Sequence, residues 1–391
     1  MKRITALEKK YVDEVLSNEF SLSKKSIFTT RLEKEFASIK GVKHAITHSN
    51  CTSAIHTALA ACGVEPGDEV VLPALSMSSP AMAVLCNSSI PVFADVKPDT
   101  FTIDAGSVSK LITPKTKAVI SVSLYGLPSD YDEIIPVCNK NNLFLIEDNA
   151  QCVKAKYKDK SSGDYGHFSV YSFGSSKQLT AGEGGILTTN DDELAGKAHR
   201  FHNLGFDTGM GSNISDSGTF KQSPQYFRHF SYGFNYRMPE LCAAVALAQV
   251  QRMDELIDLR KKTAAFYDDA VKNSDMIYPQ LVSVEKEHTY WTYAMVFKSN
   301  VPEMQWFQFR DAFIKNGGNG FYGAWQLAFN EPFFKEEVQH YKGVWQRYDN
   351  ELCPVAGYLQ PRIMQLKTNY MDISEAEKQA EILYKTLLQF A

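Results

Sequence analysis

Between Ala45 and Thr189 the chain alternates short unbroken apolar runs with longer stretches whose apolar residues recur at helical spacing. Runs without the every-second-residue alternation of a half-exposed strand predict strands covered on both faces. The candidates are Ala45–Thr47, Glu69–Leu72, Pro91–Ala94, Ala118–Ser121, Leu143–Ile146, Phe168–Ser172 and Ile186–Thr189. Helices are expected at Ser53–Cys62, stopped by Gly63, at Tyr131–Lys140 after the turn-rich GLPSD, and at Asp192–His202 after an N-D-D capping run. Strand and helix in alternation predict an α/β fold, with a mostly parallel central sheet covered by helices.

Upstream, Ile4–Leu22 and Arg31–Ile39 have helical spacing. Downstream, 207–224 is rich in Gly, Ser and Asp and reads as a long surface loop, and one long helix is expected from Pro239 to about Val271. The remainder predicts a strand at Trp291–Phe297, a helix at Glu303–Lys315, a GGNG turn and a final helix at Ser374–Leu388. The expected organisation is a large domain over residues 1–250, N-terminal helices included, and a smaller α+β domain over 251–391.

Composition removes several function classes. The net charge is -4 and no basic stripe is present, so neither nucleic acid nor a membrane surface is an expected partner. Seven widely spaced cysteines without a C-x-x-C argue against a disulfide framework or a zinc knuckle, so no metal is expected. The opening MKRITALEKKYVDEV lacks the apolar core of a signal peptide, and no run approaches the roughly 20 apolar residues that span a bilayer. A cytoplasmic protein is expected.

Three segments carry candidate chemistry. In LFLIEDNAQ, Leu143–Gln151, a buried strand ends in Glu147 and Asp148, at the strand end where α/β folds place ligands. Alone, such acids are as readily helix caps or solvated turn residues. In VYSFGSSKQLTAGEGG, a strand reaches Ser172, a turn of small residues delivers Lys177, and Gly182–Gly185 turn the chain into another strand. Small residues permit close backbone approach to a ligand, and a lysine of lowered pKa can form a Schiff base. In SNCTSAIHTAL, Ser49–Leu59, small polar residues open a helix; its free N–H groups and dipole favour an anion, although, taken alone, the segment reads more readily as ordinary capping by Thr52 or Ser53. Together the three supply an anion cradle (Ser49–Ser53 with Ser172), a carboxylate (Asp148) for a ring nitrogen, and an amine (Lys177). These are the requirements of pyridoxal 5'-phosphate.

The same residues resemble the DegT/DnrJ/EryC1/StrS aminotransferases, within the fold-type I aspartate aminotransferase superfamily. The resemblance rests on Ser172-Phe173, Lys177 and Gly182–Gly185, on Glu147, Asp148, Ala150 and Gln151, and on the run Gly233-Phe234-Asn235-Tyr236-Arg237-Met238. It implies that Lys177 is the Schiff-base lysine, Asp148 the partner of the pyridine nitrogen and Gln151 a contact to the phenolic oxygen. It implies phosphate ligands at Thr52, Ser53 and Ser172, and at Asn235 reaching the neighbouring subunit's cofactor, hence a homodimer with composite sites. Cys51 stands where the family usually has Gly, and Met77 where it usually stacks an aromatic ring on the cofactor. Many sugar-acting members carry G-I-x-x-x-x-H-Y; here residues 317–334 read GGNGFYGAWQLAFNEPFF, without the histidine. Tyr322, Trp325 and Arg237 are the substrate candidates, although for Tyr322 and Trp325 a place in the core of the small domain is the readier reading.

The expected activity moves an amino group from L-glutamate to a keto substrate, by family frequency a nucleotide-linked keto-deoxysugar for surface polysaccharide or antibiotic sugars. A small phosphorylated or free ketone is the alternative. A dehydratase using the same cofactor and a non-catalytic relative fit less well, because Lys177, Asp148 and Gln151 are all retained. A Rossmann dehydrogenase fits poorly, because the Gly-rich turn opens a strand and no G-x-G-x-x-G is present.

Overall fold

The computed structural model describes residues 2–20, 28–206, 224, 227–298, 302–336 and 352–390. Nearly all of the glycine- and serine-rich segment 207–224 lies outside them. In chain order the strands are β1 (His44–His48), β2 (Glu69–Pro73), β3 (Ile90–Ala94), β4 (Thr116–Val122), β5 (Phe144–Asp148), β6 (Lys156–Tyr157), β7 (Lys160–Ser161), β8 (Phe168–Ser172) and β9 (Gly185–Thr189), followed by β10 (Ile277–Pro279), β11 (Lys286–Glu287), β12 (Tyr293–Phe297), β13 (Tyr322–Gly323) and β14 (Ile363–Leu366).

The seven apolar runs read from the sequence form, among the described residues, one seven-stranded sheet in the order β1-β9-β8-β5-β4-β2-β3. Neighbours from β8 through β5, β4 and β2 to β3 pair in parallel. Only β9 runs the other way, antiparallel to both β1 and β8. Alternate residues feed opposite faces. Val70, Leu72, Ala118, Ile120 and Ile146 pack on the helix Cys51–Ala61, whereas Val71, Val119 and Leu145 pack with Val108 and Ile134. Both faces are therefore dry, which is why the runs read as continuous.

Helices at Ala6–Ser17 and Phe28–Lys40 pack over β1 and β9 with the helix Glu240–Gln251; the buried Phe36 ring meets Tyr171 edge-on at 5.0 Å. The long helix expected from Pro239 is two helices, Glu240–Gln251 and Met253–Val271, broken at Arg252 (φ -108, ψ 15). No Gly or Pro marks that break. Arg252 is drawn aside by hydrogen bonds to the carbonyls of Lys2 and Arg3 and an ion pair with Glu8. A second, antiparallel sheet in the order β10-β12-β14-β13 is built from residues 277–366, and β11, β6 and β7 form a small third one. No helix among the described residues is long and apolar enough to cross a membrane.

Candidate active site

Because β1, β2, β3, β4, β5 and β8 all point one way, their carboxyl ends and the start of β9 share one rim of the sheet. A cavity of about 350 Å³ opens there. Asp148, the last residue of β5, is buried in its wall. Its Oδ1 accepts from the Ala150 N–H at 3.0 Å and faces the Cys51 thiol at 4.0 Å. Burial pushes this carboxyl above the usual carboxylate range, against the pull of the Ala150 N–H and the Lys177 charge. Glu147, one position earlier, faces the other side of the sheet. It accepts the N–H groups of Gly163, Tyr165 and Gly166 at 2.8, 2.9 and 2.6 Å and so ties down the loop before β8.

Past Ser172 the chain turns tightly. The Ser172 hydroxyl accepts the Gly174 N–H at 3.2 Å, and the Lys177 N–H donates to Gly174 O at 3.0 Å. Lys177 Nζ lies 5.0 Å from the centre of the Trp291 ring. Burial holds its amine below the ordinary lysine range, and the Asp148 charge opposes this. The helix Cys51–Ala61 supplies the facing wall. Its N-cap is Asn50, not Thr52 or Ser53 as expected: the Asn50 carboxamide oxygen accepts the Ser53 N–H at 2.8 Å, and Ser53 Oγ donates back to Asn50 O at 2.8 Å. The amides of Cys51 and Thr52 are left without an acceptor among the described residues. Thr52 Oγ1 and Ser79 Oγ share a hydrogen bond at 2.6 Å above them. Gly185 backs directly on this turn: a Cβ there would lie 2.5 Å from Asn50 C and 2.7 Å from Cys51 N. The small residue of that Gly run thus serves contact between two stretches of protein backbone.

The sequence profile of the DegT/DnrJ/EryC1/StrS aminotransferase family matches residues 2–379. A GDP-perosamine synthase of Caulobacter vibrioides is 37% identical over 294 residues, 75% of each chain. A spore coat polysaccharide biosynthesis protein, SpsC, of Bacillus subtilis is 35% identical over 265 residues, 68% of this chain and 67% of its own. The crystal structure of an aminotransferase from Psychrobacter cryohalolentis superposes with a TM-score of 0.87 at 26% identity, over 99% of this chain and 98% of that one. The chain belongs to the DegT/DnrJ/EryC1/StrS aminotransferase family.

As a member of that family the protein is a pyridoxal-phosphate-dependent transaminase of fold-type I, taking an amino donor and a keto acceptor. The cavity fits the cofactor's chemistry. It offers an amine in Lys177, a buried acid in Asp148, and unfilled amide donors with the Thr52 and Ser79 hydroxyls for an anion. Gln151 accepts the Tyr125 N–H at 2.7 Å through Oε1, which leaves its NH2 group for the cavity. Tyr125 adopts a left-handed backbone (φ 62) to make that bond.

Of the residues read from the sequence of this aminotransferase, Cys51, Thr52, Met77, Asp148, Gln151, Ser172, Lys177 and Trp325 line the cavity. Ser53 lies behind them as the capping partner of Asn50. Asn235 and Arg237 sit elsewhere: Asn235 pairs with Asn203, and the Arg237 guanidinium donates to the Asn203 side chain. Tyr322 is on the exposed β13, away from the cavity. Ser79, Glu183 and Trp291 also line it, and sequence reasoning missed them. Ser79 was within reach, since Ser78, Ser79 and Pro80 open a short helix. Trp291 sits in a run that reads only as strand entry.

Proposed function

We propose that this transaminase uses Lys177 as the cofactor-binding amine and the acid–base group, Asp148 as the counter-charge to the ring nitrogen, and Gln151 as a donor to the ring oxygen. The cofactor's phosphate would be held by the Cys51 and Thr52 amides with the hydroxyls of Thr52, Ser79 and Ser172. Met77 would pack on the ring through its thioether. The observation that carries the reading is the placement of Lys177 and Asp148 in the walls of one cavity that also holds unfilled donors at a helix N-terminus. Bound there, pyridoxal phosphate supplies an electron sink for a negative charge developing at the substrate carbon. Asp148 favours the protonated ring nitrogen because a buried carboxylate gains most from a cation beside it. Lys177, desolvated, presents a neutral amine that can take and return a proton.

The acceptor would be a nucleotide-linked keto-deoxysugar for surface polysaccharide, with L-glutamate as donor and the cytoplasm as location. The relatives named for GDP-perosamine and for spore coat polysaccharide support this. The protein would act as a homodimer. The segment carrying Asn235 leaves Phe227 80% and Tyr232 76% exposed, an apolar surface that a second copy would cover while Asn235 reaches the partner's site. The boundary between the large and small domains would fall at the Arg252 break. To test the substrate, the pyridoxamine form is mixed with GDP-linked and UDP-linked keto-deoxysugars and with small keto compounds, while the cofactor spectrum is followed. Return of the pyridoxal spectrum only with the small ketones would reject the sugar reading.

A further inference from the structure

The loop that carries Lys177 has no regular structure of its own: Gly174, two exposed serines and then the lysine. Its main chain is nonetheless held at three consecutive carbonyls by side chains far away in sequence. Arg3 Nη1 donates to Ser175 O at 2.9 Å, Trp291 Nε1 to Ser176 O at 2.8 Å, and Arg3 Nη2 to Lys177 O at 2.5 Å. Each donor is itself anchored. The carbonyl of Arg3 accepts from Gln249 Nε2 at 2.9 Å and Arg252 Nη1 at 3.1 Å, and Gln249 Oε1 accepts the Thr180 N–H further along the same loop. The carbonyl of Trp291 accepts from the buried Arg260 at 2.8 Å, and the Trp291 ring lies near-parallel to Tyr125 at 6.5 Å and to Trp325 at 5.7 Å.

We infer that Arg3 is a positioning residue for the reaction: together with the Trp291 indole N–H, it clamps the peptide planes beneath Lys177 so that the amine moves by its side chain alone. This rests on the reading of Lys177 given above. Arg3 does not line the cavity and touches no reacting group, so its effect passes through the loop. A guanidinium suits the task because its planar fork serves two carbonyls at once, which an ammonium cannot reproduce in the same geometry. Reacting atoms must meet to within a fraction of an ångström, and an unclamped loop would spread the amine over several positions.

The test uses the holoenzyme carrying Arg3→Met, Arg3→Lys and Trp291→Phe. Four quantities are measured for each: kcat, the donor KM, the pH midpoint of the bound cofactor's visible absorbance, and Tm. Arg3→Met is expected to lower kcat roughly tenfold or more and to shift the absorbance midpoint, with KM within about twofold of wild type. Arg3→Lys should recover part of the loss, and Trp291→Phe, which removes the indole N–H but keeps a ring, should show the same split. An unchanged midpoint and kcat in Arg3→Met would overturn the inference. Equal losses in the Met and Lys variants that follow Tm would overturn it too, as the mark of a purely structural contact. Borohydride trapping on wild type separates the two readings: failure to label Lys177 sinks the site assignment whatever Arg3 does.

Discussion

Gly185→Ala is the sharpest probe of the anion cradle. The added methyl would meet Asn50 C at 2.5 Å, Asn50 O at 2.6 Å and Cys51 N at 2.7 Å, all backbone atoms. Carbon contacts are comfortable only beyond about 3.5 Å, so strand and helix turn must part by roughly 1 Å. β9 cannot retreat alone, because Gly185 pairs with His48 on one side and Ser172 on the other, both at the rim. The displacement therefore falls on the Asn50–Thr52 turn. Overpacking of this kind costs about 1–3 kcal/mol of stability. Moving the Cys51–Thr52 amides out of range forfeits about one bond to a charged group, worth about 1.5–3 kcal/mol. Cofactor affinity should then fall on the order of ten- to a hundredfold. The assay titrates apoprotein with pyridoxal phosphate and reads tryptophan quenching, with Tm measured alongside. Gly182→Ala is the control: it has open space around it but φ +83, so it carries backbone strain without moving the cradle. A Gly185→Ala protein that binds cofactor as tightly as Gly182→Ala would refute the reasoning.

Asp148→Asn should lower turnover on the order of a hundredfold or more while the fold persists. It also removes the charge that raises the Lys177 amine, so in apoprotein the pH midpoint for labelling Lys177 with an amine reagent should drop further below 10.5; a rise would contradict the assignment. Lys40 is buried, donates to Val153 O, Ser161 Oγ and Ser162 O, and has its pKa lowered to about 8 by burial. The unfolded chain then binds more protons than the folded one between about 8 and 10.5, so this group makes stability rise with pH across that window. Denaturant unfolding should show a flatter rise in Lys40→Met than in wild type; equal slopes would exclude a depressed Lys40. Tyr232→Glu, tested by sedimentation, should weaken self-association and cofactor retention together, whereas an unchanged oligomer would remove that surface from the dimer reading.

The strands of the main sheet were legible because both of their faces are buried, which writes an unbroken apolar run into the sequence. β14 was not, because four residues, Ile363–Leu366, including Gln365, carry too little pattern to separate them from a loop. The helices Ser79–Cys86 and Ala105–Leu111 are short and open on small residues and Pro, which mask helical spacing. The Arg252 break escaped notice because its cause is tertiary: carbonyls from residues 2 and 3 lie about 250 positions away. At the site, Lys177 and Asp148 announced themselves by where they stand relative to strands. Asn50 was passed over for its neighbours Thr52 and Ser53, since several small polar residues in a row leave the capping position undetermined until the backbone angles are known. Trp291 could not be read at all, because its meaning lies in the 176 carbonyl it holds.

The common direction of the strands also gathers their amino ends on the rim opposite the cavity. The turn Asn141–Asn142, ahead of β5, is exposed and sits at the far end of that strand from Asp148. A fluorophore or a short reporter peptide inserted there would ride on the same strand as Asp148 without touching the cavity, so the enzyme can be tethered, labelled or displayed from that end.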